Sequence, residues 1–417
     1  MVLEMRKMKD SGIEWIGEIP EGWEVGQIGQ LYSERRTKVS DKDYPPLSVT
    51  MKGILPQLST AAKTDAHDDR KLVCKGDFAI NSRSDRRGSC GISEQDGSIS
   101  LINTVLKPRG EMNPGYYNWL FHTSMFADEF YKWGHGIVDD LWTTGWSDMK
   151  KIGVPVPSKC EQKQLAEHLN VECSHIDSIL SKTCSSIEEY KKLKQSVITQ
   201  AVTKTIYDDF GNPSKFRKLR SLCDVLSKGT TPKDIETQND EFYCIRYLKS
   251  ENIVSNQLNL NPTFFITAET NNSLERSKLN SGDILFVIAG ASIGKVAITT
   301  ADFLPANTNQ AVAFIRLSSS YQYATKYIWY FLQSDVVKQL IALSAVQSAQ
   351  PNLSLEDLGA MRLPLPDQMG CLKITDYLDA KCAEIDGLIV KKEQLVKELE
   401  SYKKSLIYEV VTGKREV

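Results

Sequence analysis

The stretch of this sequence best suited to chemistry at a surface is Asn81-Ser82-Arg83-Ser84-Asp85-Arg86-Arg87-Gly88-Ser89. A guanidinium fork can pair bidentately with the guanine edge or clamp a phosphate, and hydroxyls add donors and acceptors around it. The stretch follows an apolar run, so a strand would deliver Arg83, Ser84, Arg86 and Arg87 to an exposed loop, although a solvated turn has the same composition. A second basic region, 215–233, holds six Lys/Arg against one acid, Asp224. Within it Lys228-Gly229-Thr230-Thr231-Pro232-Lys233 suits phosphate contact through Lys228, Thr230, Thr231 and Lys233. Arg35-Arg36-Thr37-Lys38 is its counterpart nearer the N-terminus, offering Arg35, Arg36 and Lys38. Charge runs are more often solvated faces than contact surfaces, so each residue here is a candidate only.

The motifs that could catalyse a reaction each fail on spacing or context. Gly290-Ala-Ser-Ile-Gly294-Lys295-Val296 is one residue short of a phosphate loop, and Val296 stands where a magnesium-holding hydroxyl belongs. It also lies between two apolar runs rather than opening a helix, which predicts a hairpin; Ser292 and Lys295 then remain as polar loop residues matching the arginine-rich stretch. Asn261-Pro262-Thr263-Phe264 is close to the Asn-Pro-Pro-Phe/Tyr with which amino-methyltransferases grip a flipped base. It lacks the second proline, and no glycine-rich methyl-donor loop precedes it, so it reads as a turn into a strand. Pro366-Asp367 with Asp379 and Lys381 satisfies a nuclease pattern formally, but its spacing puts it on a helix where such carboxylates sit on strands. The five histidines (67, 122, 135, 168, 175) show no metal-ligand spacing. Nine cysteines, at 74, 90, 160, 173, 184, 223, 244, 371 and 382, include no Cys-x-x-Cys and read as buried free thiols. No catalytic or metal site is expected.

Bulk properties bound the rest. A chain of 417 residues exceeds one core, with 41% hydrophobic and 25% charged residues. No apolar run approaches the roughly 18 residues that span a bilayer, and the N-terminus lacks a signal-peptide stretch. A cytoplasmic protein is expected. A net charge of −2 argues against a stand-alone, non-specific nucleic-acid binder, which is usually basic.

What must position the candidate residues is a duplicated scaffold. Val154-Pro155-Val156-Pro157 superposes on Leu363-Pro364-Leu365-Pro366, and the same register (154 to 363) holds for about fifty residues. Leu169 falls on Leu378, Cys173 on Cys382, Ile176-Asp177 on Ile385-Asp386, Lys194 on Lys403 and Val202-Thr203 on Val411-Thr412. Upstream, Gly76-Asp77 matches Gly282-Asp283 and Asn103 matches Asn309, while Tyr117-Asn118-Trp119 matches Tyr327-Ile328-Trp329 at an offset larger by four residues. Each copy reads as an α+β domain. Strands are predicted over 283–289, 295–299 and 311–316 with a helix over 324–345, and in the first copy over 77–81 and 101–106 with a helix over 116–133. The helix aromatics read as core rather than as a base-stacking platform.

No Gly or Pro interrupts residues 161–209. Ile176, Leu180, Thr183, Ile187, Tyr190, Lys194, Val197 and Ala201 step by 4 and 3 alternately, a heptad seam, and Ile385 to Val410 repeats it with polar residues at the same places. A lone amphipathic helix cannot bury its stripe, so the two are expected to pair, antiparallel about a pseudo-two-fold axis. Residues 174–203 would form a rod of about 45 Å at 1.5 Å per residue. That is somewhat more than one turn of duplex, about 34–36 Å, and suits two readers held apart on one face of DNA. The same seam would also serve simply to join two domains.

These residues resemble the specificity subunit of Type I restriction–modification systems. The resemblance rests on Lys9-Asp-Ser-Gly-Ile-Glu-Trp-Ile-Gly-Glu-Ile-Pro20 before Gly22-Trp23-Glu24, on Val154-Pro-Val-Pro157 leading to Glu161-Gln162, on Gly282-Asp-Ile-Leu-Phe286, and on Ser405-Leu-Ile407 with Val411-Thr-Gly-Lys414. It covers nearly the whole chain. It implies two target-recognition domains (1–157 with its N-terminal arm, and 211–366), each reading half of an asymmetric bipartite site, with spacer helices over 158–210 and 367–417. It also implies methyltransferase subunits that carry S-adenosylmethionine, and restriction subunits driven by ATP and magnesium, docked on a chain that binds double-stranded DNA, catalyses nothing itself and serves in defence against foreign DNA. A fused methyltransferase or restriction enzyme and a protein-only coiled-coil scaffold are the alternatives. Two departures stand out: Asp367-Gln-Met-Gly370-Cys371 replaces the usual Pro-Leu-x-Glu-Gln, which puts the start of the second long helix in question, and the first domain fits the pattern less closely than the second.

Overall fold

A computed structural model of the chain describes residues 6–57, 68–136, 142–204, 215–345 and 352–417. The expected domain boundary at 210/211 and His67 lie outside those residues. The chain divides into two units, Met1–Cys184 with Gln394–Val417, and Ser185–Glu393. These do not follow the stretches marked out by sequence, because each unit takes part of both long helices.

Each unit has the same four-stranded antiparallel sheet. In the first the order is Tyr32–Glu34, Asn103–Pro108, Phe78–Asn81, Cys90–Ile92; in the second it is Cys223–Lys228, Val312–Leu317, Ile284–Val287, Val296–Ile298. The central strands are apolar on both faces, as Phe78, Ala79 and Ile80 or Ile284 to Val287 show, because one face meets helices and the other a smaller apolar cluster. Leu106 lies opposite Phe78 and Ile315 opposite Ile284. Strand pairing therefore puts Asn103 at the place of Val312, not of Asn309, and the match of asparagines is displaced by three residues. A further strand pair closes each unit: Glu24–Gln27 with Gly153–Val156, and Lys215–Lys218 with Arg362–Leu365.

Sequence periodicity predicts one helix behind each sheet, yet each is broken in two at the same place. The first copy has Pro114–Phe121 and Ser124–Lys132; the second has Thr325–Leu332 and Asp335–Ala345. Thr123 ends the first segment and starts the next, accepting from the Phe126 N–H through its hydroxyl. At the second break the Asp335 N–H donates to the Thr199 hydroxyl. The aromatics on these helices are core, with Tyr116, Tyr117, Phe121, Tyr327 and Phe331 all buried. The helices match at Pro114 and Thr325, one residue beyond the sequence match, so Tyr116 is the partner of Tyr327. Their hydroxyls reach matched places: Tyr116 donates to the Val411 carbonyl (2.6 Å), while Tyr327 lies within reach of the Val202 carbonyl (3.2 Å) and nearer that of Pro364 (2.6 Å).

The long helices are Lys159–Lys204, 46 residues, and Gln368–Val411, 44 residues. The first opens on a capping box, with the Ser158 hydroxyl accepting from the Glu161 N–H and the Glu161 carboxylate accepting from the Ser158 N–H. The altered sequence at 367–371 does not delay the second helix. The Asp367 carboxylate accepts from the Gly370 N–H (2.7 Å), and a side chain at 370 would press on Pro366, whose Cβ lies 2.8 Å from where a Cβ would stand. Every predicted seam position is buried or half-buried. In the second unit Lys392 lies over the Tyr190 ring while Lys194 grips Asp386 (2.6 Å), so one helix advances as the other retreats: the pairing is antiparallel. In the first unit Lys403 grips Asp177 at the same distance. Lys194 and Lys403, like Asp177 and Asp386, are matched positions of the repeat, so each copy's lysine holds the other copy's aspartate.

A turn at the head of each central strand carries a buried carboxylate. Gly76 and Gly282 take φ of +86° and +87°, which glycine alone adopts without strain, and so aim Asp77 and Asp283 inward. Asp77 receives the Arg35 guanidinium (2.6 and 3.1 Å), and Asp283 that of Arg316 (2.8 and 2.7 Å). Among the described residues no helix is long and apolar enough to cross a membrane. All nine cysteines are free; Cys90, Cys173, Cys371 and Cys382 are buried, while Cys160, Cys184 and Cys244 are exposed, contrary to the expectation of buried thiols throughout. Replacing Asp283 with Ala strands the Arg316 guanidinium and should lower the unfolding free energy of the second unit by about 3 kcal/mol, read as a shift of the urea midpoint at unchanged slope.

Candidate nucleic-acid interface

The loop after Phe78–Asn81 is pinned at its base and open at its tip. The Asn81 N–H donates to the Ser89 carbonyl (2.9 Å), and the buried Ser82 hydroxyl meets that of Thr104 (2.9 Å). The Asn81 side chain accepts from the Arg83 N–H, and a single 3-10 turn, Ser84–Arg86, carries the chain round. Its three arginines differ. Arg87 ion-pairs with Asp128 (3.2 Å) and lies over the Tyr131 ring. Arg86 is only 3.8 Å from Asp85 and largely exposed. Arg83 is exposed, and among the described residues no carboxylate pairs with it. Ser84 is half-buried, its N–H donating to the Trp142 carbonyl (2.9 Å).

In the second unit the corresponding loop, 288–295, joins Ile284–Val287 to Val296–Ile298 as a hairpin, the two strands being antiparallel. That geometry excludes a phosphate loop, whose amides must open onto a helix. Gly290 and Gly294 take φ of +86° and +87° to close it. Lys295 projects into solvent and Ser292 is half-buried. The other rejected motifs sit as sequence suggests. Thr263 and Phe264 lead into the strand Phe265–Thr267, and Asp379 lies on the second long helix, accepting from the Tyr330 hydroxyl (2.8 Å). Among the described residues no group of His, Cys, Asp or Glu could hold a metal ion.

The basic stretches behave less alike than their composition suggests. Arg35 faces inward onto Asp77, which raises the basicity of its guanidinium through that hydrogen bond, and it is only 21% exposed. Its bond to Asp77 makes Arg35 part of the turn rather than of an open surface. Arg36 and Lys38 are exposed but paired at the surface, with Glu34 and Asp69. In the second unit Lys228, Thr230, Thr231 and Lys233 all project outward from a fixed backbone. Gly229 packs so closely that a Cβ there would stand 1.8 Å from the Thr308 carbonyl oxygen. The Thr230 N–H donates to that same carbonyl, and the Tyr247 hydroxyl donates to the Thr230 carbonyl (2.9 Å). Lys228, Thr230, Thr231 and Lys233 are thus four exposed polar side chains on a constrained backbone.

Sequence reasoning missed a second chain segment beside each loop. In the first unit Thr143 lies opposite Arg83 in an antiparallel bridge; in the second Asn352 lies opposite Ala289. The anchoring bonds correspond: the Thr144 N–H donates to the Ser82 carbonyl and the Leu353 N–H to that of Ile288, both at 2.9 Å. Only the strand-to-strand pairing reveals them, since they lie some sixty residues downstream of the loops they flank.

Comparison with known proteins agrees with this architecture. Residues 212–395 match the family model described as Type I restriction modification DNA specificity domain. The chain is 23% identical to the Type I restriction enzyme MjaVIII specificity subunit of Methanocaldococcus jannaschii, over 99% of this chain and 98% of that protein. It is 28% identical to the Type I restriction enzyme EcoBI specificity subunit of Escherichia coli, over 51% of this chain and 48% of that protein. One solved structure, reported for complex assembly and conformational transition of the type I R-M system, superposes with a TM-score of 0.74 at 12% identity, over 94% and 98% of the two chains. The HsdS subunit from Thermoanaerobacter tengcongensis superposes with a TM-score of 0.54 at 15% identity, over 95% and 98%. At such identities these likenesses speak for the fold alone.

Replacing Gly229 with Ala should cost about 1–3 kcal/mol through the clash with Thr308, lowering the melting temperature and loosening the Lys228–Lys233 surface together. An unchanged melting temperature would show that the backbone there is free to shift.

Proposed function

We propose that the chain is a Type I restriction–modification DNA specificity subunit and that each of its two units reads one half of an asymmetric bipartite DNA sequence. The observation that carries this reading is the conserved frame around divergent loops. Both units present a loop at the same end of the same central strand, held by corresponding hydrogen bonds, yet with unrelated side chains: Arg83, Ser84 and Arg86 in one, Ser292 and Lys295 in the other. Duplicated loops that had to bind one target would carry like residues; loops that read different targets need only a common support. Phosphate contacts that fix orientation fall to Lys228, Thr230, Thr231 and Lys233, with Arg36, Lys38 and Arg87 in lesser roles because each already has a surface partner.

The paired helices act in this reading as spacer and as docking surface for methyltransferase subunits, with restriction subunits completing the assembly. The chain contributes recognition and no reaction step. S-adenosylmethionine, ATP and magnesium belong to the partner subunits, and the near-neutral charge fits a DNA interface shared with them.

Footprinting of the complex formed with the methyltransferase subunit tests the proposal. Two protected blocks with an unprotected gap are expected, and a single continuous block would contradict it. Within that assay Arg83→Ala or Arg86→Ala should cost about 1–3 kcal/mol and relax selectivity in one block only. Equal weakening on every sequence would make them phosphate contacts.

A further inference from the structure

We propose that Asn352 is a base-reading residue of the second unit, taking there the part that Arg83 takes in the first. The inference rests on the bipartite reading above and names one of its determinants. Residues directly opposite in an antiparallel pair project to the same side, with Cβ atoms about 5 Å apart. Arg83 and Thr143 form such a pair, both exposed, so the first unit presents a guanidinium from the loop and a short hydroxyl from the facing segment. At the corresponding pair in the second unit the loop residue is Ala289, half-buried and with no polar atom to offer. The hydrogen-bonding side chain is on the facing strand instead: Asn352, exposed. The equal bonds from Thr144 to Ser82 and from Leu353 to Ile288 establish that these are the same two places. The polar reader has therefore changed strands between the copies while its position in the frame has been kept.

The change of side chain implies a change of target. An arginine fork suits the O6 and N7 acceptors of guanine, whereas an asparagine amide, one donor beside one acceptor, suits N6 and N7 of adenine. Arg83 thus assigns a guanine to the half-site of the first unit, and Asn352 an adenine to that of the second. It also explains why the 288–295 loop looks poor in contact residues when read alone.

The test is methylation of a substrate library, randomised across both half-sites, by the full chain assembled with its methyltransferase subunit. Asn352→Ala should reduce discrimination at one adenine-bearing position of one half-site by about tenfold or more and leave the other half-site as it was. Asn352→Asp, which keeps the size but can only accept, should turn the preference at that position toward cytosine, whose amino group donates. Arg83→Ala in parallel should act on the other half-site. Unchanged selectivity in both Asn352 variants, or an equal fall on all sequences, overturns the proposal. If the unaltered complex methylates no two-part sequence, the bipartite reading itself fails; if it does and only the Asn352 variants behave as wild type, this inference alone fails.

Discussion

Each unit depends on the antiparallel seam between the two long helices. An apolar stripe of the length running from Ile176 to Ala201 cannot stay exposed to water, and at roughly 25 cal/mol per Å² its burial is the main driving force for pairing. Apolar packing alone tolerates sliding. The two lysine–aspartate pairs, Lys194 with Asp386 and Lys403 with Asp177, fix the register, because a slip of one heptad would separate each lysine from its partner. Such exposed pairs contribute only about 0–1 kcal/mol each, so their value is selectivity among alignments rather than stability. This exchange accounts for the lysines at 194 and 403, whereas Lys392 lies over the Tyr190 ring and the Thr183 hydroxyl donates to the Ile179 carbonyl of its own helix.

The consequence is a division of the chain that ignores the order of the repeat. Each unit draws helix from both copies, and each globular part ends on the other copy's helix: Tyr116 on Val411, Tyr327 on Val202. Neither copy closes its own core. A frame locked in this way leaves the loops free to differ, since nothing in the sheet, the buried Asp–Arg turn or the helix break depends on what Arg83 or Asn352 offers to solvent. Recognition chemistry can change one side chain at a time without disturbing the fold.

Much of this was legible from residue order. The 154-to-363 register, the seam and the hairpin at 288–295 all follow from spacing, because local periodicity and an ungapped repeat report directly on which residues share a face. What escaped depends on contacts distant in sequence. The break at His122–Thr123 and Gln333–Ser334 hides within a sound helical period, and only the capping hydroxyl Thr123 hints at it. Arg35 looked like its neighbours Arg36 and Lys38 until Asp77, forty-two residues on, claimed it. The asparagine match of 103 with 309 was real as sequence yet wrong as structure, since three residues are inserted before the strand in the second copy. Asn352 carried no signal at all, its role being set by a single bridge to Ala289.

The central claim is that two like frames, one in each unit, carry two independent readers. Mapping methylated adenines across DNA modified by the assembled complex tests it most directly. The account requires one asymmetric two-part sequence with a constant gap at every modified site. Methylation at a continuous sequence, or at two half-sites separated by variable gaps, would contradict it.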